Sequence, residues 1–342
     1  MKSKKNTSVL IIYTGGTIGM VKDSKTGALV PLNIEQLVKH IPINNFDFDI
    51  SMYSFKEPID SSNMAPEIWV ELVEVIEKNY SKYDGFVVLH GTDTMAYTAS
   101  ALSFMFDNLQ KPIVLTGSQL PIGLIRTDAR ENLITALEVA AAKENGKAVI
   151  TEVCVLFEDH LYRGNRTHKF NAENFDAFIC PNYPQLAEIG INIKYNCDAL
   201  LKIAGKKFKA YKALDLNIAV IQIYPGITPQ AIDAIINIEG VKGIVLESYG
   251  NGNVMTTDWF IKKLEEAQSK GIIIFNVTQC EKGAVDHGKY ETSFLIGKLG
   301  VVSGGDITKE AAIAKLMFVL ALDIDNTEKC KLLSKSLRGE MA

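Results

Sequence analysis

The 342-residue chain lacks most of the signatures that assign a protein at sight. Its five cysteines, Cys154, Cys180, Cys197, Cys280 and Cys330, are odd in number and scattered. No Cys-x-x-Cys occurs among them, which excludes a disulfide framework and a cysteine-built zinc site. The histidines His40, His90, His160, His168 and His287 show no metal-ligand spacing, so no metal is expected. No run approaches the roughly 18 apolar residues of a membrane span. No basic stripe interleaves with aromatics, which excludes a nucleic-acid footprint at a net charge of −4. Lys2, Lys4 and Lys5 form the only basic cluster, which a solvated terminus explains. An export signal is missing too. The apolar run Val9–Tyr13 after those lysines is too short, and Thr14-Gly15-Gly16 interrupts it, so a cytoplasmic protein is expected.

What is present is a globular composition, 47% hydrophobic and 22% charged, on a length that suits two domains. Short apolar runs alternate with helical periodicity. Strands are predicted over 9–13, 85–89, 112–116 and 149–157. Helices are predicted over 66–80, from about 95 to 106, and from 128 to 142. Pro66 suits a first helical turn, and Asp128 with Glu131 reads as a capping box. Residues 158–174 are polar, and 190–215 break the alternation around Gly205-Lys206-Lys207. A second set follows: strands 218–223, 243–247 and 272–277, and helices 229–238, 257–268 and 308–322. The pattern predicts a larger N-terminal, doubly wound, mostly parallel α/β domain over 1–190, a linker over 191–215, and a smaller parallel α/β domain over 216–342.

Two strand ends carry the chemistry. Val9–Tyr13 runs into Thr14-Gly15-Gly16-Thr17-Ile18-Gly19, and Phe86–Leu89 into His90-Gly91-Thr92-Asp93-Thr94. In an open parallel sheet such tips bind ligands. The glycine spacing of the first is wrong for a dinucleotide loop, and no acidic ribose ligand follows at the expected distance. Glycines flanked by hydroxyls instead suit close approach of a substrate, backbone N–H donors for an oxyanion, and attack by a threonine. In the second turn Thr92 or Asp93 could cap the following helix, worth ~1 kcal/mol, yet one cap suffices. The extra carboxylate suits a substrate ammonium group. Alone, Asp60-Ser61-Ser62-Asn63 would be a cap cluster, Lys169 an exposed basic residue, and Gly250-Asn251-Gly252-Asn253 a tight turn.

Taken together, these stretches resemble the bacterial-type L-asparaginases, most closely their cytoplasmic type I branch. The likeness covers nearly the whole chain. It includes Tyr13–Met20, Asp60-Ser61-Ser62, His90–Met95, Leu115-Thr116-Gly117-Ser118-Gln119, Leu161–Arg166 and Gly304-Gly305-Asp306. The resemblance implies a two-domain asparaginase-like fold and hydrolysis of asparagine to aspartate and ammonia through a threonine acyl-enzyme, with no cofactor. It implies Thr14 as nucleophile, Thr92, Asp93 and Lys169 as the second catalytic group, and Ser61 with Ser62 on the substrate carboxylate. Asp93 would also hold the substrate amino group. It further implies a homodimer or homotetramer acting on asparagine, possibly also glutamine. A Lys169 amine buried beside Thr92 would favour its neutral form, while Asp93 opposes that.

Two departures stand out. The family's loop tyrosine is absent from residues 21–31, which leaves Tyr13, Thr17 or a residue from elsewhere to activate Thr14. Glu247 stands where some type I enzymes use an arginine to bind a regulatory asparagine, so such activation is expected to be weak or absent although Cys280 is retained. Among other readings, an ammonia-supplying amidotransferase component would usually carry an added N-terminal domain, for which a first motif at residue 14 leaves no room. A non-catalytic amino-acid-binding protein would give no reason for Lys169.

Overall fold

Ser8-Val9-Leu10-Ile11-Ile12-Tyr13-Thr14-Gly15 forms β1, nearly all of it buried, as a central parallel strand requires. The computed structural model describes residues 6–342 except 23–25, 28, 32–35, 37–38, 41–44, 203–204 and 289–290. The lysine cluster and part of the 21–31 loop lie outside the described residues. The chain divides into two compact α/β units, Met1–Lys212 and Ala213–Ala342.

In the first unit β1 is followed by β2 (Asp49–Ile59), α1 (Pro66–Asn79), β3 (Gly85–Leu89), α2 (Met95–Met105), β4 (Ile113–Thr116) and α3 (Ala129–Ala141). Then come β5 (Val153–Phe157), β6 (His160–Arg163), β7 (Ala187–Ile189) and β8 (Ile193–Tyr195). They make one eight-stranded sheet in the order β8-β7-β6-β5-β4-β3-β1-β2. The strands from β5 to β2 pair in parallel, and β6, β7 and β8 are added antiparallel. The parallel part therefore runs 2-1-3-4-5, and the order reverses between β1 and β3. That switch point opens a crevice at the carboxyl ends of the two strands, where α/β sheets bind ligands. The threonine turns occupy those two ends.

Alternate residues Val9, Ile11, Tyr13, Val87 and Leu89 pack on one face against Leu133, Ala136, Leu137 and Ala140 of α3. Truncating a buried leucine here, such as Leu133, would cost about 2–5 kcal/mol. At the far side of the sheet Arg163 and Glu152 form a buried pair at 2.6 Å. Glu152 also accepts from Leu201 N–H, and Arg163 donates to Ala199 O. Burial raises the Glu152 carboxyl above its ordinary value, against the pull of Arg163.

The second unit contains β9 (Ile218–Gln222), α4 (Pro229–Ile236), β10 (Gly243–Ser248), α5 (Asp258–Ser269), β11 (Ile273–Thr278), α6 (Glu291–Lys298), β12 (Val302–Ser303), α7 (Lys309–Leu320) and α8 (Asn326–Leu333). Its sheet is parallel throughout, in the order β9-β10-β11-β12. Ile244, Leu246, Ile272 and Ile274 meet Phe260 and Leu264 of α5 and Ile232 of α4. A fully buried Lys315 pairs with Glu340 at 2.7 Å and donates to Leu333 O.

Three stretches depart from the expected pattern. β2 escapes the sequence pattern, because all but Phe55 of its residues are half-buried or exposed and they include Lys56 and Glu57. Part of the polar stretch 158–174 is β6, and Ile193–Tyr195 is an edge strand within the segment expected to be a linker. The edge strands β2 and β8 keep one side in water and so lose the continuous apolar signature, whereas β6 is buried but short and broken by His160 and Arg163.

Candidate active site

The first turn is built from glycine because three backbones meet there. Gly15 has φ 132° and Gly16 φ 86°, conformations that favour glycine. A Cβ on Gly15 would collide with the carbonyl of Ile59, and one on Gly16 with the backbone of Gly91. The Gly16 N–H donates to Ile59 O at 3.2 Å. That donor is therefore spent on joining β1 to β2 and does not face a substrate, contrary to a simple oxyanion reading of the glycine pair. Tyr13 braces the same turn: its hydroxyl donates to Gly19 O at 3.2 Å, and burial pushes its pKa up to about 12. Its hydroxyl is committed to the Gly19 carbonyl.

The second turn is held from inside. The indole N–H of Trp69 donates to Thr98 Oγ1, which lies 2.9 Å from His90 Nε2. His90 Nδ1 lies 2.6 Å from Gly91 O, and a carbonyl only accepts, so Nδ1 carries the proton and Nε2 accepts from Thr98. Burial holds His90 neutral, with its pKa lowered to about 4. At the start of α2 the Thr94 side chain does not cap the helix. Its hydroxyl donates to Ser61 O at 2.7 Å and ties the second turn to the 60–63 turn. Asp60 begins that turn by accepting from the N–H and hydroxyl of Ser62, which lower its pKa.

These turns enclose a cavity of about 230 Å³ lined by Gly16, Thr17, Asp60, Ser61, Thr92 and Lys169, with Met20, Gly91, Asp93, Gln119 and Ala172 completing the wall. Lys169 reaches it from a short strand pairing of His168–Lys169 with Phe178–Ile179. The preceding turn is closed by the Thr167 hydroxyl donating to Arg163 O at 2.7 Å. Lys169 Nζ donates to Thr92 Oγ1 at 2.9 Å and to Asp93 Oδ1 at 2.6 Å. The lysine side chain is 16% exposed and the aspartate 62%, so the amine sits inside and the carboxylate at the rim.

Of the residues singled out from the sequence, Ser61, Thr92, Asp93 and Lys169 come together here. Ser62 does not line the cavity, and its hydroxyl serves Asp60 at 2.9 Å. Thr14 does not line it either. It is 1% exposed, and its hydroxyl donates to Leu89 O at 2.8 Å, bracing β1 against β3. The threonine of this motif that faces the cavity is Thr17, carried past the glycines on a short 3-10 turn. Sequence reading has no means of choosing between two hydroxyls flanking Gly15-Gly16. It also misses Asp60 and Gln119 as wall residues, although both lie in the motifs that carry the resemblance. Among the described residues no cluster of metal-ligating side chains occurs, and no helix is long and apolar enough to cross a membrane. In the second unit Glu247 is half-buried; burial raises its carboxyl while Lys309 opposes the rise.

Comparison with known proteins agrees with this architecture. Residues 8–201 match the family profile described as Asparaginase, N-terminal, and residues 217–333 the Glutaminase/Asparaginase C-terminal domain. The chain is 40% identical to L-asparaginase 1 of Escherichia coli K12 over 98% of each protein. It is 33% identical to the L-asparaginase of Thermococcus kodakarensis, over 97% of this chain and 98% of that protein. The crystal structure of L-asparaginase I from Vibrio cholerae superposes with a TM-score of 0.89 at 38% identity, covering 98% of this chain and 99% of that one. With both profiles matched and two threonine turns meeting at the switch point of a 2-1-3-4-5 sheet, the chain belongs to the asparaginase family.

Proposed function

We propose that this protein hydrolyses L-asparagine to aspartate and ammonia through a threonine acyl-enzyme. The observation that carries the reading is the meeting of Thr17, Ser61 and the Lys169–Thr92 pair around one small cavity. At about 230 Å³ it is below the range of drug-sized ligand pockets, which suits a free amino acid. Its polar groups are of both signs. Asp60, kept ionised by Ser62, and Asp93 suit an ammonium group, while Ser61 and Lys169 suit a carboxylate.

In this reading the nucleophile of the first motif is Thr17 rather than Thr14, since Thr17 lines the cavity and Thr14 does not. Thr17 Oγ attacks the side-chain amide carbon, the C–N bond breaks, and the amide nitrogen leaves as ammonia carrying the threonine proton. Water then attacks the resulting ester. Held by a hydrogen bond to Thr92 Oγ1, which Lys169 fixes in place, that water passes its proton to Thr17 Oγ as the C–O bond breaks and aspartate departs. The protein's own hydroxyls and amine carry every step, so no cofactor is invoked. Two easier barriers replace one high one.

Ammonia release from free asparagine and glutamine by the purified chain tests this. Asparagine turnover without tRNA is expected, and Thr92→Val or Lys169→Met should each lower kcat by about 10²–10⁴-fold. Wild-type turnover in both variants would end the assignment. The methylene separating glutamine from asparagine is worth only about 1–3 kcal/mol, so some glutamine turnover is compatible. We place the protein in the cytoplasm as a homodimer or homotetramer, to be checked by cell fractionation and by light scattering.

A further inference from the structure

Gln119 lies on the cavity wall after β4, in the Leu115-Thr116-Gly117-Ser118-Gln119 motif. Its backbone is pinned by a carboxylate. Gln119 N–H donates to Asp128 Oδ2 at 2.8 Å and Leu120 N–H to Asp128 Oδ1 at 3.1 Å. Asp128 is 7% exposed, so this anchor is shielded from water. The side chain has no freedom of flip. Its Nε2 lies 2.9 Å from Asn174 O and 3.3 Å from Ala172 O, and carbonyls accept only. The amide nitrogen must face them, which leaves Oε1 facing Thr92 Oγ1 at 3.3 Å.

The hydroxyl of Thr92 has one proton and two partners. With Lys169 Nζ donating to Thr92 Oγ1, that proton points to Gln119. The remaining lone pair of Thr92 then faces the cavity. The other end of the same amide fastens residues 172–174, which follow Lys169 closely in the chain.

We propose that Gln119 is a positioning residue of the hydrolysis, whose amide oxygen orients the Thr92 hydroxyl while its amide nitrogen clamps the segment that carries Lys169. The proposal rests on the roles assigned to Thr92 and Lys169 above. Gln119 exchanges no proton and acts only through these two neighbours. One side chain thus sets both partners of the contact.

The test uses steady-state ammonia release by the full chain between about pH 3.5 and pH 9, with thermal melts at each pH as the folding control. Gln119→Met keeps the length and removes both hydrogen-bonding ends. It should lower kcat about 10- to 100-fold. Its KM should stay within about threefold of wild type. Gln119→Glu keeps an acceptor for Thr92 while ionised. Above about pH 8 it should exceed Gln119→Met in kcat about threefold or more and stay below wild type, because the donor to Ala172 O and Asn174 O is gone. Relative to wild type and Gln119→Met that gain should fade below about pH 4.3, the ordinary glutamate value, because a protonated carboxyl donates to Thr92 instead of accepting. The charged groups nearby, Lys169, Asp93, Asp128, Arg126 and Glu173, are the same in all three proteins, so that fading belongs to position 119. Should Gln119→Met melt early, Gln119→Ala replaces it with the same expectation. Wild-type kcat in Gln119→Met, a loss confined to KM, or equal impairment of Gln119→Met and Gln119→Glu at every pH would overturn the proposal. Failure of the wild-type chain to release ammonia would instead overturn the reading of function on which it rests.

Discussion

Three helices of the second unit begin differently from two of the first. In the second unit Thr228, Thr308 and Asp325 turn their side chains onto their own helices and accept from Ala231, Ala311 and Glu328 N–H. That is the ordinary use of such residues at a helix start. In the first unit Thr94 and Asp128 stand at equivalent places and do no capping. Thr94 reaches Ser61 O, and Asp128 takes the N–H groups of Gln119 and Leu120. Both have been diverted from their helices to the loops of the cavity. α2 tolerates this because nearly every one of its side chains is buried, so packing supplies what the missing cap does not. At these helix starts the second unit's polar side chains serve their own helices, and the first unit's hold distant turns in register.

The sharpest way to break that contrast is at the first turn. Thr17→Val should lower kcat/KM by about a thousandfold or more. Thr14→Val should leave kcat within about tenfold while costing about 1–3 kcal/mol of stability, because Leu89 O loses its donor. Activity assays and urea unfolding of the pair check both, and a reversed pattern would return the nucleophile to Thr14.

Next in size is a pH effect from His90. Its folded pKa of about 4 lies below the ordinary value of 6.5. The unfolded chain therefore binds the proton first as pH falls. Stability from this group is complete above pH 6.5 and declines as pH drops from 6.5 to about 4, by about 3 kcal/mol. Urea unfolding of wild type and His90→Asn at neutral pH and near pH 4.5 should show the larger loss in wild type. Parallel curves would show that His90 is not the group responsible.

Asp128→Ala should cost about 1–3 kcal/mol by leaving two loop N–H groups unpaired, and kcat should fall alongside. The smallest effect is expected at Thr308→Ala, a loss of about 1 kcal/mol with kcat unchanged. Thr94→Ala should do the opposite and move kcat more than the melting temperature. If Thr94→Ala and Thr308→Ala behave alike, the two kinds of helix start do not differ.

The parallel core is legible in the sequence wherever burial is two-sided. The runs at 85–89 and 243–247 correspond to Gly85–Leu89 and Gly243–Ser248, and the helix at 66–80 to Pro66–Asn79. The half-exposed edge strands β2 and β8 are not legible, nor are the short β6 and β7, whose His160, Arg163 and Glu188 break any apolar run. Asp128 with Glu131 looks like a capping box because the residue types fit; only the tertiary path shows the carboxylate turned to Gln119. Within the cavity, Ser61, Thr92, Asp93 and Lys169 are legible through motif resemblance. Which hydroxyl of Thr14 and Thr17 faces the cavity depends on how the chain turns after two glycines of positive φ, and residue type does not encode that direction.

Where Gly15, Gly16, Ile59 and Gly91 converge, peptide planes touch with no side chain between them. A junction of that kind has no rotamers to freeze and none to sample on heating, so its geometry is set once by the strands. It is equally closed to tinkering: even a methyl group breaks it. Variation in what the cavity accepts must therefore arise elsewhere on its wall, at Met20 and Ala172, which carry no catalytic role, and a mutational survey should find the permissive substitutions there.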